Sequence, residues 1–358
     1  MTMGALLRPM AFIETGIYDL LVPDKQRAPR WSNSLSTEAS LTINAGHRPT
    51  ESVNWMCRYA SAKPATANAL QRIRIGSMTI VRYRPPAPLD RYVEWLWWSQ
   101  RDLPQLFCEH MLPSASTQLI FALHDEAYTW RRKSSDESST VWTRGVVHGP
   151  QWSYFVSGPK PCGAVAGVSF RAGAAGAVLG VPIAEITDRH VSIDALWGAS
   201  GRSMRQRLLD ADEPMAILRA LEQDLVSRLA RPLLIHPAIA HALADPVQGW
   251  GFTRISNVQR HTGYSPKHFI SLFRGAVGLT PKHYYRVKRF NAALQTIAGG
   301  AGSSLAETAV SLGYADQSHL TREFHAFAGI TPTQYRPRGT DSVLHHLATG
   351  LPPHGRKR

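Results

Sequence analysis

The sequence predicts an α+β protein: a small β-barrel with a helical tail, followed by an all-α domain of two helix-turn-helix units joined by a long helix. Three observations carry that expectation. Short β-favouring runs recur between turn signals from Met78 to about Arg171, apolar residues then shift to helical spacing, and about two dozen residues near the C-terminus occur twice. At roughly 150 residues per domain, 358 residues also exceed one ordinary domain.

The β-favouring runs are MTIVRYR, YVEWLWWS, TQLIFAL, TVWTRGVVHG, SYFVS and GAVAGVSFR. Several short strands at this spacing suggest an antiparallel sandwich or barrel. Helical periodicity follows in AGAAGAVLG, around Ile183 to Leu196, and in EPMAILRALEQDLVSRLARP, where Pro232 is expected to end the helix. Before them, residues 1–75 are rich in Ser, Thr, Asn, Pro and Arg without a sustained period, which predicts a poorly ordered extension. The expected segments are therefore 1–75, the barrel and its helices over 76–235, a helical domain over 236–338, and a basic flexible tail over 339–358.

The formal charge of +14 is unevenly spread. Residues 236–358 carry 14 Lys/Arg against 5 Asp/Glu, whereas residues 76–235 carry 17 against 16. A basic C-terminal third is what contact with a polyanion requires. No apolar run approaches the roughly 18 residues of a membrane span, and the N-terminus lacks the pattern of a secretory signal, so a soluble cytoplasmic protein without a membrane partner is expected. Three scattered cysteines, Cys57, Cys108 and Cys162, argue against a disulfide framework. His110, His124 and His148 lack metal-ligand spacing, and neither a phosphate loop nor a nucleophile elbow occurs. Neither a metal, a cofactor nor an enzymatic activity is expected.

The repeat pairs GYSPKHFISLFRGAVGLTPKHYY (Gly263–Tyr285) with GYADQSHLTREFHAFAGITPTQYR (Gly313–Arg336). With one residue inserted after the turn, His268 falls on His319, Phe273 on Phe324, Gly278 on Gly329, Pro281 on Pro332 and Tyr284 on Tyr335. In the second copy Ser304 and Glu307 have capping-box spacing, Gly313 suits the left-handed end of a short helix, and Asp316 suits the cap of the next. Leu320, Phe324 and Phe327 form its inward stripe. A short helix, a Gly-containing turn and a second helix make a helix-turn-helix unit.

The outward face of that second helix presents Gln317, Ser318, Thr321, Arg322 and His325, side chains able to hydrogen-bond base edges. An ordinary solvated face has the same composition; the repeat, the turn chemistry and the regional charge favour base contact. In the first copy Ser265 caps, Pro266 takes the first helical position, and Lys267, Ile270, Ser271 and Arg274 face out. Its preceding helix, TRISNVQRHT, is expected to pack less tightly, because Gln259 and Thr262 replace Ala309 and Leu312. Between the copies, PKHYYRVKRFNAALQTIAGG predicts a helix of about 18 residues, roughly 27 Å long. Such a spacer suits two recognition helices set near the roughly 34 Å of one DNA turn. Lys282, Arg286, Lys288 and Arg289 on it are candidate phosphate contacts.

Residues 236–338 resemble the DNA-binding domain of the AraC/XylS family of bacterial transcription regulators, through SLAETAVSLGYADQSHLTREFHAFAGITPTQYR and TGYSPKHFISLFRGAVGLTPKHYYRVKRFNAALQ. The resemblance implies base contacts from Lys267, Ile270 and Ser271 in the first unit and from Gln317, Ser318, Thr321 and Arg322 in the second. The middle region more distantly resembles the family's sensory domains through FRAGAAGAVLGVPIAEITDRHVSIDALWG, which implies a cupin-like barrel that binds a small-molecule effector or mediates dimerisation. The expected partners are double-stranded DNA, an effector, a second copy and the transcription machinery. Trp95, Trp97, Trp98, Tyr128, Trp130 and Trp142 suit an apolar pocket, although filling the barrel core is their commoner use. The rival readings are a DNA-repair regulator with a reactive cysteine and a non-specific basic DNA binder.

Overall fold

The structure, a computed structural model, describes residues 70–132, 140–229, 235–244, 264–300, 304–337 and 343–347. Eleven strands precede the main helices: β1 (Leu70–Ile75), β2 (Met78–Tyr83), β3 (Val93–Arg101), β4 (Glu109–Met111), β5 (Gln118–Ala122), β6 (Tyr128–Arg131), β7 (Thr140–Trp142), β8 (Gly145–His148), β9 (Phe155–Ser157), β10 (Gly163–Phe170) and β11 (His190–Ser192). One sheet runs β1-β2-β3-β10-β5-β8-β11, all antiparallel. Six expected runs hold strands where their composition placed them. Leu70–Ile75, expected within a poorly ordered extension, is instead the edge strand beside β2; residues 1–69 lie outside the described set.

Alternation along β3 divides this sheet into two working faces. Leu96 and Trp98 point to one side with Leu119, Phe121, Val168 and Phe170. There they meet α2 (Ile193–Leu209) and α3 (Pro214–Ser227), which follow the short α1 (Ala175–Leu179) and bring Met204, Leu208, Leu218, Leu221 and Leu225 to the same core. Each large apolar side chain fully buried there contributes about 1.5–3 kcal/mol. Trp95, Trp97, Ser99 and Arg101 point to the other side, where they line a cavity.

The expected barrel is not closed. A second sheet, in which β12 (His345–Leu347) is followed by β4, β9, β6 and β7 in that order, stands apart from the first, with strands of only three or four residues that are too short to carry hydrogen bonding around from the long strands. Its edge strand β12 pairs with β4 in the register His345↔Met111, His346↔His110, Leu347↔Glu109. These residues were expected in a flexible tail over 339–358; residues 343–347 instead complete a sheet.

The C-terminal helices are α4 (Pro237–Ala244), α5 (Pro266–Val277), α6 (Pro281–Ala298), α7 (Leu305–Ser311) and α8 (Gln317–Ala328). Their core is Phe269, Phe273, Val287, Phe290, Leu294, Phe324 and Phe327, with Phe290 edge-on to Phe324 at 5.1 Å. The expected start signals operate: Ser265 and Asp316 accept backbone N–H groups, and Ser304 with Glu307 forms a reciprocal capping box; Thr280, not singled out in the sequence, caps α6 in the same way. Gly313 is left-handed at φ 70°. The expected helix TRISNVQRHT lies outside the described residues. The described residues fall in one compact unit.

Candidate nucleic-acid interface and cavity

Helix α5 buries Phe269, Phe273 and Val277, so helical geometry turns Lys267, Ile270, Ser271 and Arg274 to solvent. Ile270 is an apolar side chain left 37% exposed. Helix α8 buries Leu320, Phe324 and Phe327, which exposes Gln317, Ser318, Arg322 and His325. Thr321 is half-buried, and its hydroxyl donates to the Gln317 carbonyl at 2.9 Å.

The four cations on α6 divide. Lys282 and Lys288 are exposed, and Lys288 also borders the cavity. Arg289 is only 6% exposed; its Nη2 donates to both Glu323 carboxylate oxygens at 3.0 Å, and its guanidinium lies 4.1 Å over the Tyr314 ring. Arg286 donates from Nε to the same carboxylate at 2.8 Å. Arg289 thus departs from its expected phosphate role: Glu323 projects from the buried face of α8 and holds it inside. The signal was present, since Glu323 sits on the inward stripe between Leu320 and Phe327, where an unpaired carboxylate would be costly.

Both α5 and α8 end on a glycine against the β-rich half. The Gly278 carbonyl accepts a hydrogen bond from Thr187 Oγ1 at 2.8 Å. At the other exit, Tyr154 donates its backbone N–H to the Phe327 carbonyl at 3.0 Å, and His110 Nδ1 donates to the Ala328 carbonyl at 3.1 Å. A Cβ added at Gly329 would lie 2.5 Å from the Tyr154 ring. One segment, Pro150–Tyr154, reaches both ends: Pro150 touches the position of a Gly278 Cβ, and Trp152 stacks on His283 at 5.7 Å.

Between the sheets lies a cavity of about 710 Å³. Ile80, Trp95, Trp97, Ile120 and Val165 line it from the larger sheet, and Tyr128, Trp130, Trp142 and Phe155 from the smaller. Asn291, Ala292 and Gln295 of α6 and residues 343–345 border it from the C-terminal half. Five of the six aromatic residues singled out in the sequence therefore line a pocket; Trp98, on the opposite face of β3, packs in the core.

At the cavity wall, His148 contacts its cross-strand partner His190 through the two Nδ1 atoms, and His190 Nε2 lies 3.0 Å from Gln151 Nε2. Burial, reinforced by the Lys160 charge, pushes His148 down to about 4, and burial with the His148 neighbour holds His190 well below its ordinary range. Glu109 is fully buried beneath β12. Burial alone would raise its carboxyl, but the Lys160 ammonium and His345 outweigh burial and hold it well below the usual carboxylate range.

Residues 258–338 match the family described as helix-turn-helix domain, and residues 81–192 match one described as domain of unknown function (DUF6597). Residues 258–338 are an AraC-type helix-turn-helix domain. Such a domain marks a DNA-binding transcription regulator. No curated protein matches the chain. Among solved structures it is similar to ToxT of Vibrio cholerae: an apo single-substitution variant from strain SCE256 at 10% identity and TM-score 0.37, covering 66% of this chain and 95% of that one. ToxT of strain O395 bound to (E)-4-(8-methylnaphthalen-1-yl)but-3-enoic acid gives 9% and 0.36, covering 64% and 96%. Wild-type ToxT bound to an unsaturated fatty acid gives 9% and 0.36, covering 73% and 95%. Scores this low mark a loose likeness.

Within the AraC-type domain, the candidates on α5 and α8 form two exposed faces, one on each copy of the repeat. What sequence reasoning missed is the Arg289–Glu323–Arg286 cluster inside it and the docking of both glycine exits. The docking has no sequence signal, because Tyr154, His110 and Thr187 are distant in the chain and ordinary in their local context. Among the described residues no helix is long and apolar enough to cross a membrane, and no group of three or more His, Cys, Asp or Glu is placed to hold a metal.

Proposed function

We propose that this chain is a sequence-specific transcription regulator in which α5 and α8 are the two recognition helices, entering successive major grooves of double-stranded DNA, and in which a small molecule held in the cavity controls the protein. The observation that carries the reading is the repeated partition of the two helices. Each buries aromatic residues and turns a capped, hydrogen-bonding face outward: Lys267, Ser271 and Arg274 on α5, and Gln317, Ser318 and Arg322 on α8. Lys282, exposed on the connecting helix, supplies a phosphate contact. Ile270 in place of a longer polar residue makes readout by α5 more dependent on DNA shape. A second copy and the transcription machinery are the partners this function calls for, in the cytoplasm.

Two features support effector control. The cavity has a size suited to a small ligand. The Pro150–Tyr154 segment runs from the wall residue Phe155 and the His190 partner Gln151 to the exits of both recognition helices. A ligand that shifts this segment would change how the helices are held. The repair reading loses Cys108 as its reactive thiol, since that side chain is fully buried and its thiol is pushed up by burial, and would fall to the exposed Cys162, whose Sγ donates to the Asp102 carbonyl at 3.6 Å.

Selection of bound duplexes from a random library tests the reading. Arg322→Ala should relax preference at one step of the selected site, costing about 1–3 kcal/mol there, whereas Lys282→Ala should weaken all duplexes alike and reduce the salt slope by about 1. Uniform effects of both changes across the library would sink the recognition assignment.

A further inference from the structure

The cavity has an electrostatic character that its aromatic walls alone do not give. Arg82, Arg101, Lys160 and Lys288 all border it, and among the described residues lining it there is no aspartate or glutamate. This happens within a half of the protein whose overall charge is nearly balanced, with 17 basic against 16 acidic residues over 76–235. Cations gathered at low-dielectric walls focus a positive potential into the space between them. Lys160 is ion-paired with the buried Glu109, so the positive excess at the cavity comes from the other basic side chains that border it. The fourth cation, Lys288, reaches the same space from α6.

A second, independent feature lies on α6. Asn291 lines the cavity, and its Oδ1 is buried without a hydrogen-bond partner. A buried acceptor left unmade is costly, so the site is improved by a ligand that brings a donor to it.

We propose that the cavity binds an aromatic monoanion carrying one hydrogen-bond donor. The flat apolar body lies between Trp95 and Trp97 on one side and Trp130 and Trp142 on the other, the anionic group faces the basic side chains, and the donor meets Asn291. The volume of about 710 Å³ admits a body of two or three fused or linked rings. The inference rests on the reading of the cavity as the effector site and goes beyond it by naming the ligand's chemistry.

Two dyes of nearly the same shape test it with the full-length protein. 1-Anilinonaphthalene-8-sulfonate carries the rings, one N–H donor and a negative charge; N-phenyl-1-naphthylamine carries the rings and the N–H without the charge. The expected result is at least tenfold tighter binding of the sulfonate. Lys288→Gln should weaken the sulfonate about three- to tenfold and leave the neutral dye unchanged, while Arg202→Gln, on the distant face of α2, alters neither. Equal affinities for the two dyes overturn the anion assignment and leave the cavity as a ligand site. Loss of both dyes in Lys288→Gln, with the circular dichroism of the parent retained, also overturns it, because the lysine would then act on cavity shape. Failure of both dyes to bind the parent protein overturns the effector reading itself.

Discussion

Arg289 and Glu323 form a two-pronged hydrogen-bonded ion pair inside the AraC-type domain, at 3.0 Å to each carboxylate oxygen, with both side chains almost wholly buried. The pair fixes α6 to α8. Because a lone buried charge is far costlier than a pair, Glu323→Ala should destabilise the domain by about 3–5 kcal/mol. Urea unfolding would show it as a lower midpoint at unchanged slope. Arg289→Met should also leave the salt dependence of DNA binding intact, whereas removal of a true phosphate contact lowers that slope by about 1.

The exit of α8 offers a comparison between two glycines. Gly180 and Gly329 share a left-handed backbone at φ 76° and 70°, but only Gly329 has a neighbour where a Cβ would go. Gly180→Ala should cost about 1 kcal/mol from backbone strain alone. Gly329→Ala should cost about 1–3 kcal/mol more, since Tyr154 must move, and should change DNA affinity because α8 loses its mooring. Equal costs in thermal unfolding would refute the docking role.

Acid should weaken the protein in a defined window. Burial lowers His110 and His148 to about 4 in the folded protein, while an unfolded histidine titrates near 6.5. Below about pH 6.5 the unfolded chain takes up protons that the folded one refuses, so this share of stability is complete above pH 6.5 and falls away down to about pH 4. Glu109 adds a loss at lower pH, because its depressed carboxyl stabilises the fold only above the unfolded value near 4. Denaturant midpoints should drop between pH 7 and 4.5, less steeply in His110→Gln. A flat profile across that range would count against buried neutral histidines.

Residues 343–347 join the end of the DNA-binding domain to the cavity. Tyr335 Oη donates to the Val343 carbonyl, Leu112 N–H donates to the Leu344 carbonyl at 2.7 Å, and His345 meets Glu109. A chain ending at residue 342 should lose about 1–3 kcal/mol of stability from the unmade bonds. Acrylamide should quench its tryptophans more strongly, because a wall of the cavity is gone. Unchanged quenching would show that the strand does not close it.

Much of the C-terminal half was legible locally. Ser265, Ser304, Glu307, Asp316 and Gly313 act within a few residues of their own backbone, so their roles follow from spacing alone, and the repeat made each copy a check on the other. The six β-favouring runs were legible by the same reasoning. The short strands at Glu109–Met111, Tyr128–Arg131 and His345–Leu347 were not, because three or four residues with polar members carry no period. Arg289 was misassigned because a basic residue on a basic helix looks solvated until its partner's position is known.

By itself, then, the sequence determined the six β-favouring runs that hold strands, where the helices of the second unit start and stop, and which side chains of α5 and α8 lie opposite their apolar stripes. These are consequences of hydrogen-bonding geometry and of the 2.0 and 3.6 periodicities. Only the tertiary structure decided that the sheets stay open around a cavity lined by aromatic and basic side chains, that residues 343–347 return to border it, and that α5 and α8 both end against one segment. Those arrangements depend on contacts between residues far apart in the chain, 236 positions in the case of Glu109 and His345, and no local pattern encodes which distant side chain will occupy the space left by another.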